Sequence, residues 1–449
     1  MRIRNLLLVL VVVLPAAAQW TLPEVVRRAS QRNPGVTASL ERAAAAASGV
    51  RLARTAWLPQ GDVLGQINGA TRNNVFGMLL PQHVIAPISG PPVADSSASM
   101  VFGTAAGVLV SWEPFDLGQR AARLAAADAE RQRAERSFVR ERFEIEAAAA
   151  DAYFSVVAAD QLAGAARAGL ERARALELVT TKLAETGLKP GADAARARAE
   201  RAAAEAAVIQ AEQAARVARA ALTGITGDEP AAVKPQAERL LGPAGAMAAS
   251  GGAHPRQVEQ QAAAAAADAR RHELAVAWRP RFELQGSLYG RGTGANFDQT
   301  TSRPPQGLYP NYYNWGLGFT VTFPFLDRPA NRARHEAEGH RAAAEIARLR
   351  KIEMELKAQV EAARAMVEAA ERLSATTPVQ VEAARAAHAQ AEARYRSGLT
   401  GIIEVADAQR QLAQAEINDS LARLSVWRAL LGLATAQGDL VPFLEAVER

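Results

Sequence analysis

The chain has 449 residues, with 52 Lys plus Arg against 47 Asp plus Glu (formal charge +5), no cysteine, and 49% hydrophobic but only 5% aromatic residues. Its basic residues are interleaved with acids rather than clustered, which argues against a nucleic-acid binder. The missing thiols exclude disulfides, thiolate metal sites, a cysteine nucleophile and a lipidated cysteine. Alanine runs at 43–47 and 262–267 with so few aromatics point away from several compact cores and toward long helices packed through small side chains.

Arg2 and Arg4 precede the apolar run Leu6–Leu14, and Pro15-Ala16-Ala17-Ala18 places small residues before Gln19. This is the pattern of a secretory signal peptide over residues 1–18. No later stretch reaches the roughly 18 uninterrupted apolar residues of a membrane helix; Ile145–Leu162 is broken by Glu146, Asp151 and Asp160. The mature protein is therefore expected to be exported without a membrane helix.

From residue 19 the chain duplicates itself. Asn33-Pro34 recurs as His254-Pro255 and Trp57-Leu58-Pro59 as Trp278-Arg279-Pro280, at an offset of 221 (254 − 33). Phe115-Asp116 recurs as Leu326-Asp327 and Thr186-Gly187-Leu188 as Ser397-Gly398-Leu399, at an offset of 211 (398 − 187). The change of register between Pro59 and Asp116 assigns a longer insertion to the first copy. The first repeat is expected over 19–227, a linker over 228–253, the second repeat over 254–433, and a C-terminal segment over 434–449.

Within the first repeat, 61–70 and 101–113 are predicted strands, the first the weaker; 119–186 is a long helix and 192–222 a returning one. The second repeat follows suit, with strands at 281–290 and 313–323, a long helix at 330–397 and a return at 402–433. Each long helix would extend about 100 Å at 1.5 Å per residue. Gly187 and Gly398 end these helices at positions that tolerate positive φ. Helix patterning alone is equally compatible with a solvated coiled-coil rod.

The strands carry the discriminating signal. Phe282, Leu284, Gly286, Leu288 and Gly290 alternate with Arg281, Glu283, Gln285, Ser287 and Tyr289. Trp315, Leu317, Phe319, Val321 and Phe323 alternate likewise, and in the first copy Phe102, Thr104, Ala106, Val108, Val110 and Trp112 share a face. Strands of about 10 residues, apolar on one face and polar on the other, are the signature of a membrane β-barrel, against the alternative of half-buried soluble hairpins. The proline-bearing segments 73–99 and 292–311 read as exposed loops. Four strands cannot close a barrel, which takes about eight, so the protein is expected to pool strands in an oligomer; a dimer would give eight and a trimer twelve.

The order and duplication of these elements resemble the TolC-like outer-membrane efflux protein family over about Leu22 to Leu440. The resemblance is carried by Thr21-Leu22-Pro23-Glu24-Val25, Asn33-Pro34, Trp57-Leu58-Pro59-Gln60, Pro324-Phe325-Leu326-Asp327, and Tyr395-Arg396-Ser397-Gly398-Leu399 leading into Glu404-Val405-Ala406-Asp407-Ala408-Gln409. It implies a mainly α fold with a membrane β-barrel portion. In a homotrimer, twelve strands would form one barrel, continued across the periplasm by a twelve-helix α-barrel. It also implies an exit duct for tripartite efflux or type I secretion, partnered by a periplasmic adaptor and, through it, an inner-membrane RND or ABC transporter. Segment 228–253 and the C-terminal stretch would then form a belt around the helices.

The resemblance further implies two sites. The turns with Gly187, Leu188, Gly398 and Leu399 match those that receive the adaptor, against the alternative that they are only helix caps. Glu404 and Asp407, three residues apart on one helix face, match acids that ring the periplasmic entrance, where threefold symmetry would make a cation-selective constriction. Asp193 matches an acid that pairs with a basic residue at the gate; the position of that partner holds Thr400 here, leaving Arg196 as the candidate for a different lock.

An enzyme is disfavoured. His335-Glu336 precedes His340 at a spacing of five rather than the four of a zinc helix, Gly290, Gly292 and Gly294 open no helix, and neither a nucleophile elbow nor a P-loop occurs. No cofactor or metal is expected. A periplasmic adaptor or structural coiled-coil protein is the alternative from another class, since it would share the leader and the long helical hairpins.

Overall fold

The computed structural model describes residues 19–71, 100–187, 191–227, 234–235, 238–242, 244–245, 247–248, 251–294 and 305–448. The predicted signal peptide, the whole of loop 73–99, part of 292–311, part of linker 228–253, and Leu188 lie outside them. In chain order the elements are β1 (Gln19–Trp20), α1 (Leu22–Arg32), α2 (Pro34–Thr55), β2 (Gln60–Thr71), β3 (Met100–Phe115), α3 (Gln119–Glu185), α4 (Gly191–Thr226) and β4 (Lys234–Pro235). They continue with α5 (Pro255–Val276), β5 (Arg281–Thr293), β6 (Tyr312–Thr322), α6 (Arg328–Arg396), α7 (Ile402–Gln437) and α8 (Val441–Glu448), with 3-10 turns at Glu238–Leu241 and Phe325–Asp327. The fold is mainly helical with a small antiparallel sheet, as the sequence predicts. No described helix is long and apolar enough to cross a membrane.

The contacts divide the chain into two units, each assembled from both halves of the sequence: 1–43 with 134–261 and 347–449, and 44–133 with 262–346. The first unit concentrates its aromatics in one knot. Tyr153 and Phe154 of α3, Trp427 of α7 and Phe443 of α8 are all at most 1% exposed, with Trp20 beside them at 3%. Phe443 packs against both Phe154 and Trp427, and the Tyr153 hydroxyl donates to the Trp20 carbonyl at 2.9 Å. Truncating such a residue costs about 3–5 kcal/mol.

Away from the knot, the long helices meet through alanines such as Ala197, Ala215 and Ala415. Cross-helix ion pairs set their register: Arg219–Asp160, Arg201–Glu177, and a two-pronged Arg428–Asp151. Pairs this exposed contribute at most about 1 kcal/mol each, so they specify alignment more than they stabilise.

The duplication is visible in how two helices are capped. Asn33, ahead of α2, accepts from the Gly35 N–H at 2.8 Å and donates through Nδ2 to the Ile225 carbonyl at the end of α4. His254, ahead of α5, accepts at Nδ1 from the Arg256 N–H at 3.1 Å, and its Nε2–H donates to the Thr435 carbonyl near the end of α7 at 3.2 Å. The buried ring also stands edge-on to Phe143. The bond accepted at Nδ1 requires the neutral imidazole, because protonation there removes the acceptor, whereas the Nε2–H donor is kept in either state.

Burial, opposed by the Thr435 hydrogen bond and reinforced by the Arg256 charge, holds the His254 pKa below its ordinary 6.5. A histidine depressed in the folded state contributes stability that is present above 6.5 and lost as pH falls through the lowered value. The midpoint of thermal unfolding of the solubilised protein is therefore expected to carry a His254 component that lowers it between about pH 8 and about pH 5. His254→Asn, which copies the other repeat, should abolish that component; an equal acid sensitivity in the variant would rule the histidine out.

The second unit holds the sheet, in the order β2-β3-β5-β6, antiparallel throughout. Register aligns Val63 with Val108, Val108 with Leu288, and Leu288 with Trp315, so one apolar face runs across all four strands. Ile67, Val110, Trp112, Leu284, Leu317, Phe319 and Val321 share it by the period-two rule. The other face carries Asp62, Gln66, Ser111, Gln285, Ser287, Asn314 and Thr320. Exposure on the apolar face is high, at 83% for Val63 and 80% for Trp315. The edge strands β2 and β6 each lack a partner on one side among the described residues.

Candidate functional site

The two helix ends singled out in the sequence are turns with glycine in the left-handed region: Gly187 at φ 72° and Gly398 at φ 77°. At the second, the Leu399 N–H donates to the Arg394 carbonyl and the Gly398 N–H to the Tyr395 carbonyl. These paired bonds make a Schellman motif, which satisfies the last carbonyls of α6. In that motif the residue after the glycine usually folds back onto an apolar partner five positions earlier. Here that partner is Arg394, and Leu399 stands 72% exposed. Capping thus accounts for the glycine and leaves the leucine unexplained. Gly187 caps α3 through its N–H to the Ala184 carbonyl.

Behind the second turn, Tyr395, Ile402 and Val405 are buried, with Leu176, Leu183 and Ala391 packed on them. This cluster joins the α6–α7 turn to the last turns of α3. Burial, together with the nearby Asp193 carboxylate, pushes the Tyr395 hydroxyl above its ordinary pKa. Asp193 in the first turn of α4 is thus close enough to Tyr395 for its charge to act there.

The acids of α7 are not equivalent. Glu404 is exposed, whereas Asp407 is held by Arg410 one turn on. Arg410 also reaches Glu200 of α4 at 2.9 Å, so one guanidinium bridges the two returning helices. Arg196 is exposed and pairs with no described residue, while its neighbours Arg198 and Arg201 both engage Glu177. Sequence reading missed Arg410. The i, i+3 spacing from Asp407 was available as a signal, but the link to Glu200 spans 210 residues and has no local signature. No group of three or more potential metal ligands occurs among the described residues.

The outer membrane efflux protein family matches the chain over residues 25–228 and 254–439. The protein belongs to that family. Outer membrane efflux proteins are channels, so the sheet with its apolar face belongs in the outer membrane and the long helices in the periplasm. No curated protein matches the sequence significantly.

Solved structures of similar fold include outer-membrane channels. The outer-membrane channel OprN superposes with a TM-score of 0.71 at 21% identity, covering 93% of this chain and 89% of its own. The CmeC outer membrane channel of Campylobacter jejuni gives 0.74 at 15% identity, with 93% and 85% covered. The outer membrane protein VceC of Vibrio cholerae gives 0.73 at 15%, with 93% and 96% covered. Family and fold together set aside the periplasmic adaptor and the free-standing coiled coil.

Proposed function

We propose that this outer membrane efflux protein is a homotrimeric exit duct, passively conducting substrates delivered by an inner-membrane RND or ABC transporter through a periplasmic adaptor. The observation that carries this reading is the four-stranded sheet with both edges open and one face apolar. Unpaired backbone groups at an edge cannot remain in lipid, so β6 of one chain must meet β2 of the next. Three chains supply twelve strands. Exposed apolar side chains along the first unit, such as Leu178, Ile209, Met354 and Val379, suit contacts between protomers.

In this reading Gly187, Leu188, Gly398 and Leu399 meet the adaptor, while Asp193, Arg196, Glu404 and Asp407 lie at the periplasmic entrance. Arg410 joins that set, since its bridge from Asp407 to Glu200 ties α7 to α4 within one protomer. Glu404, with no counter-ion among the described residues, is the stronger contributor to cation attraction.

The test is the native mass of the solubilised outer-membrane protein, followed by conductance across a planar bilayer. A trimer with cation-selective conductance is expected. Glu404→Gln with Asp407→Asn should reduce cation over anion permeability severalfold and leave the trimer intact. Unchanged selectivity would remove these acids from the entrance, and a monomer without conductance would overturn the duct.

A further inference from the structure

The corner where a strand passes into a long helix is built twice in the second unit, and the two copies neutralise their arginine differently. In the first copy, Arg120 lies over the Trp57 ring at 5.2 Å and is buried. Asp116 accepts its charge at 3.1 Å, and its other nitrogens donate to the Ala56 and Pro114 carbonyls. That corner is closed on itself.

In the second copy the residue equivalent to Arg120 is Asn331, and the arginine has moved to position 328, directly after Asp327. Arg328 again lies over a tryptophan, Trp278, at 5.2 Å, and over Phe323 at 5.9 Å. It is exposed and forms no ion pair with a described residue. Beside it opens a cavity of about 620 Å³, lined by Trp278, Arg328, Asn331, Arg332 and His335, with Leu274 on its apolar wall. Arg332 is partly offset by Glu336 at 2.9 Å, and Asp327 is an exposed acid next to Arg328. Phe323, Phe325 and Leu326 stand 42%, 59% and 78% exposed on the adjoining chain.

An uncompensated guanidinium stacked on aromatics, at the foot of strands with a lipid-type face, matches the level of a membrane where headgroup phosphates lie. Arginine offers a planar fork suited to two phosphate oxygens, and the neighbouring aromatic and leucine surface suits the first carbons of acyl chains. We propose that the Arg328 cavity binds the phosphodiester of a glycerophospholipid in the periplasmic leaflet, one lipid per chain. The proposal rests on the barrel reading above, because the corner reaches lipid only if the strands span the membrane.

The probe is phosphatidylglycerol added to the delipidated full-length protein, followed by native mass spectrometry, which reports oligomeric state and bound lipid in one spectrum. The wild type should bind one tightly held lipid per chain. Arg328→Gln should weaken that binding about tenfold, the scale of a lost charged hydrogen bond, with Arg328→Lys falling between. Diacylglycerol, which lacks the phosphate, should not occupy the site, and millimolar inorganic phosphate should not displace the lipid.

Equal lipid binding by wild type and Arg328→Gln would overturn the site, as would equal binding of diacylglycerol. Ready displacement by inorganic phosphate would mean a simple anion site and would overturn the lipid assignment. A species other than a trimer in the same spectrum would count against the duct itself, whatever lipid it carried.

Discussion

Leu399→Asp is expected to abolish transport in cells that depend on this channel, while the trimer forms as before. The cap at this turn is made by backbone bonds from Leu399 and Gly398, which any residue but proline at 399 preserves. The leucine is 72% exposed and adds little to the folded protomer, so folding stability should change by no more than about 0.5 kcal/mol. If an adaptor buries it, each copy contributes roughly 1.5–3 kcal/mol, and placing a carboxylate there adds a desolvation cost. Copurification with the adaptor of the same pump should fall by at least about tenfold. Leu399→Met, of similar volume, should retain binding. Full transport by Leu399→Asp would reduce these turns to helix caps.

Gly107→Val should prevent assembly in the outer membrane altogether. Gly107 of β3 pairs with Tyr289 of β5, the seam that joins the strands of the two repeats. A β-carbon at 107 would collide with the Tyr289 Cβ and lie 2.7 Å from the Leu288 carbonyl oxygen and 2.8 Å from the Tyr289 Cα. These are backbone and first side-chain atoms, which cannot swing aside, so the strands must part. Overpacking of this kind costs about 1–3 kcal/mol even where neighbours can yield; here it also unpairs backbone groups that lipid cannot satisfy. Gly65→Val is the matched control, since a β-carbon there meets nothing within 4 Å. Heat-stable trimer in outer-membrane extracts should vanish for Gly107→Val and persist for Gly65→Val. Normal trimer for both would show that the seam has slack.

The expected effects differ in kind because the residues do. Leu399 is costly to remove only when something binds it, Gly107 only because two strands already lie against it, and His254 only when pH takes its acceptor away. The Arg410 bridge belongs to a fourth kind. It sets the relation between two helices at little net stabilisation, so its contribution should be sought in gating rather than in unfolding.

Much was legible in the chain itself. Alternation in Phe282–Gly290 and Trp315–Phe323 has a period of two that depends only on neighbouring residues, so the sheet and its apolar face could be read locally. Alanine-rich stretches bounded by glycine likewise announced long helices, and together with the ordered motifs they were sufficient for the family and the compartment. Tertiary structure alone decided the rest. Arg120 lies over Trp57 and Arg328 over Trp278, pairings that span 50 residues or more and exist only because each corner folds back on itself. Arg410 finds Glu200, 210 residues away, because α7 lies beside α4. These outcomes depend on groups brought together from distant parts of the chain, and a pattern of period two or 3.6 carries no information about which face a distant helix will present.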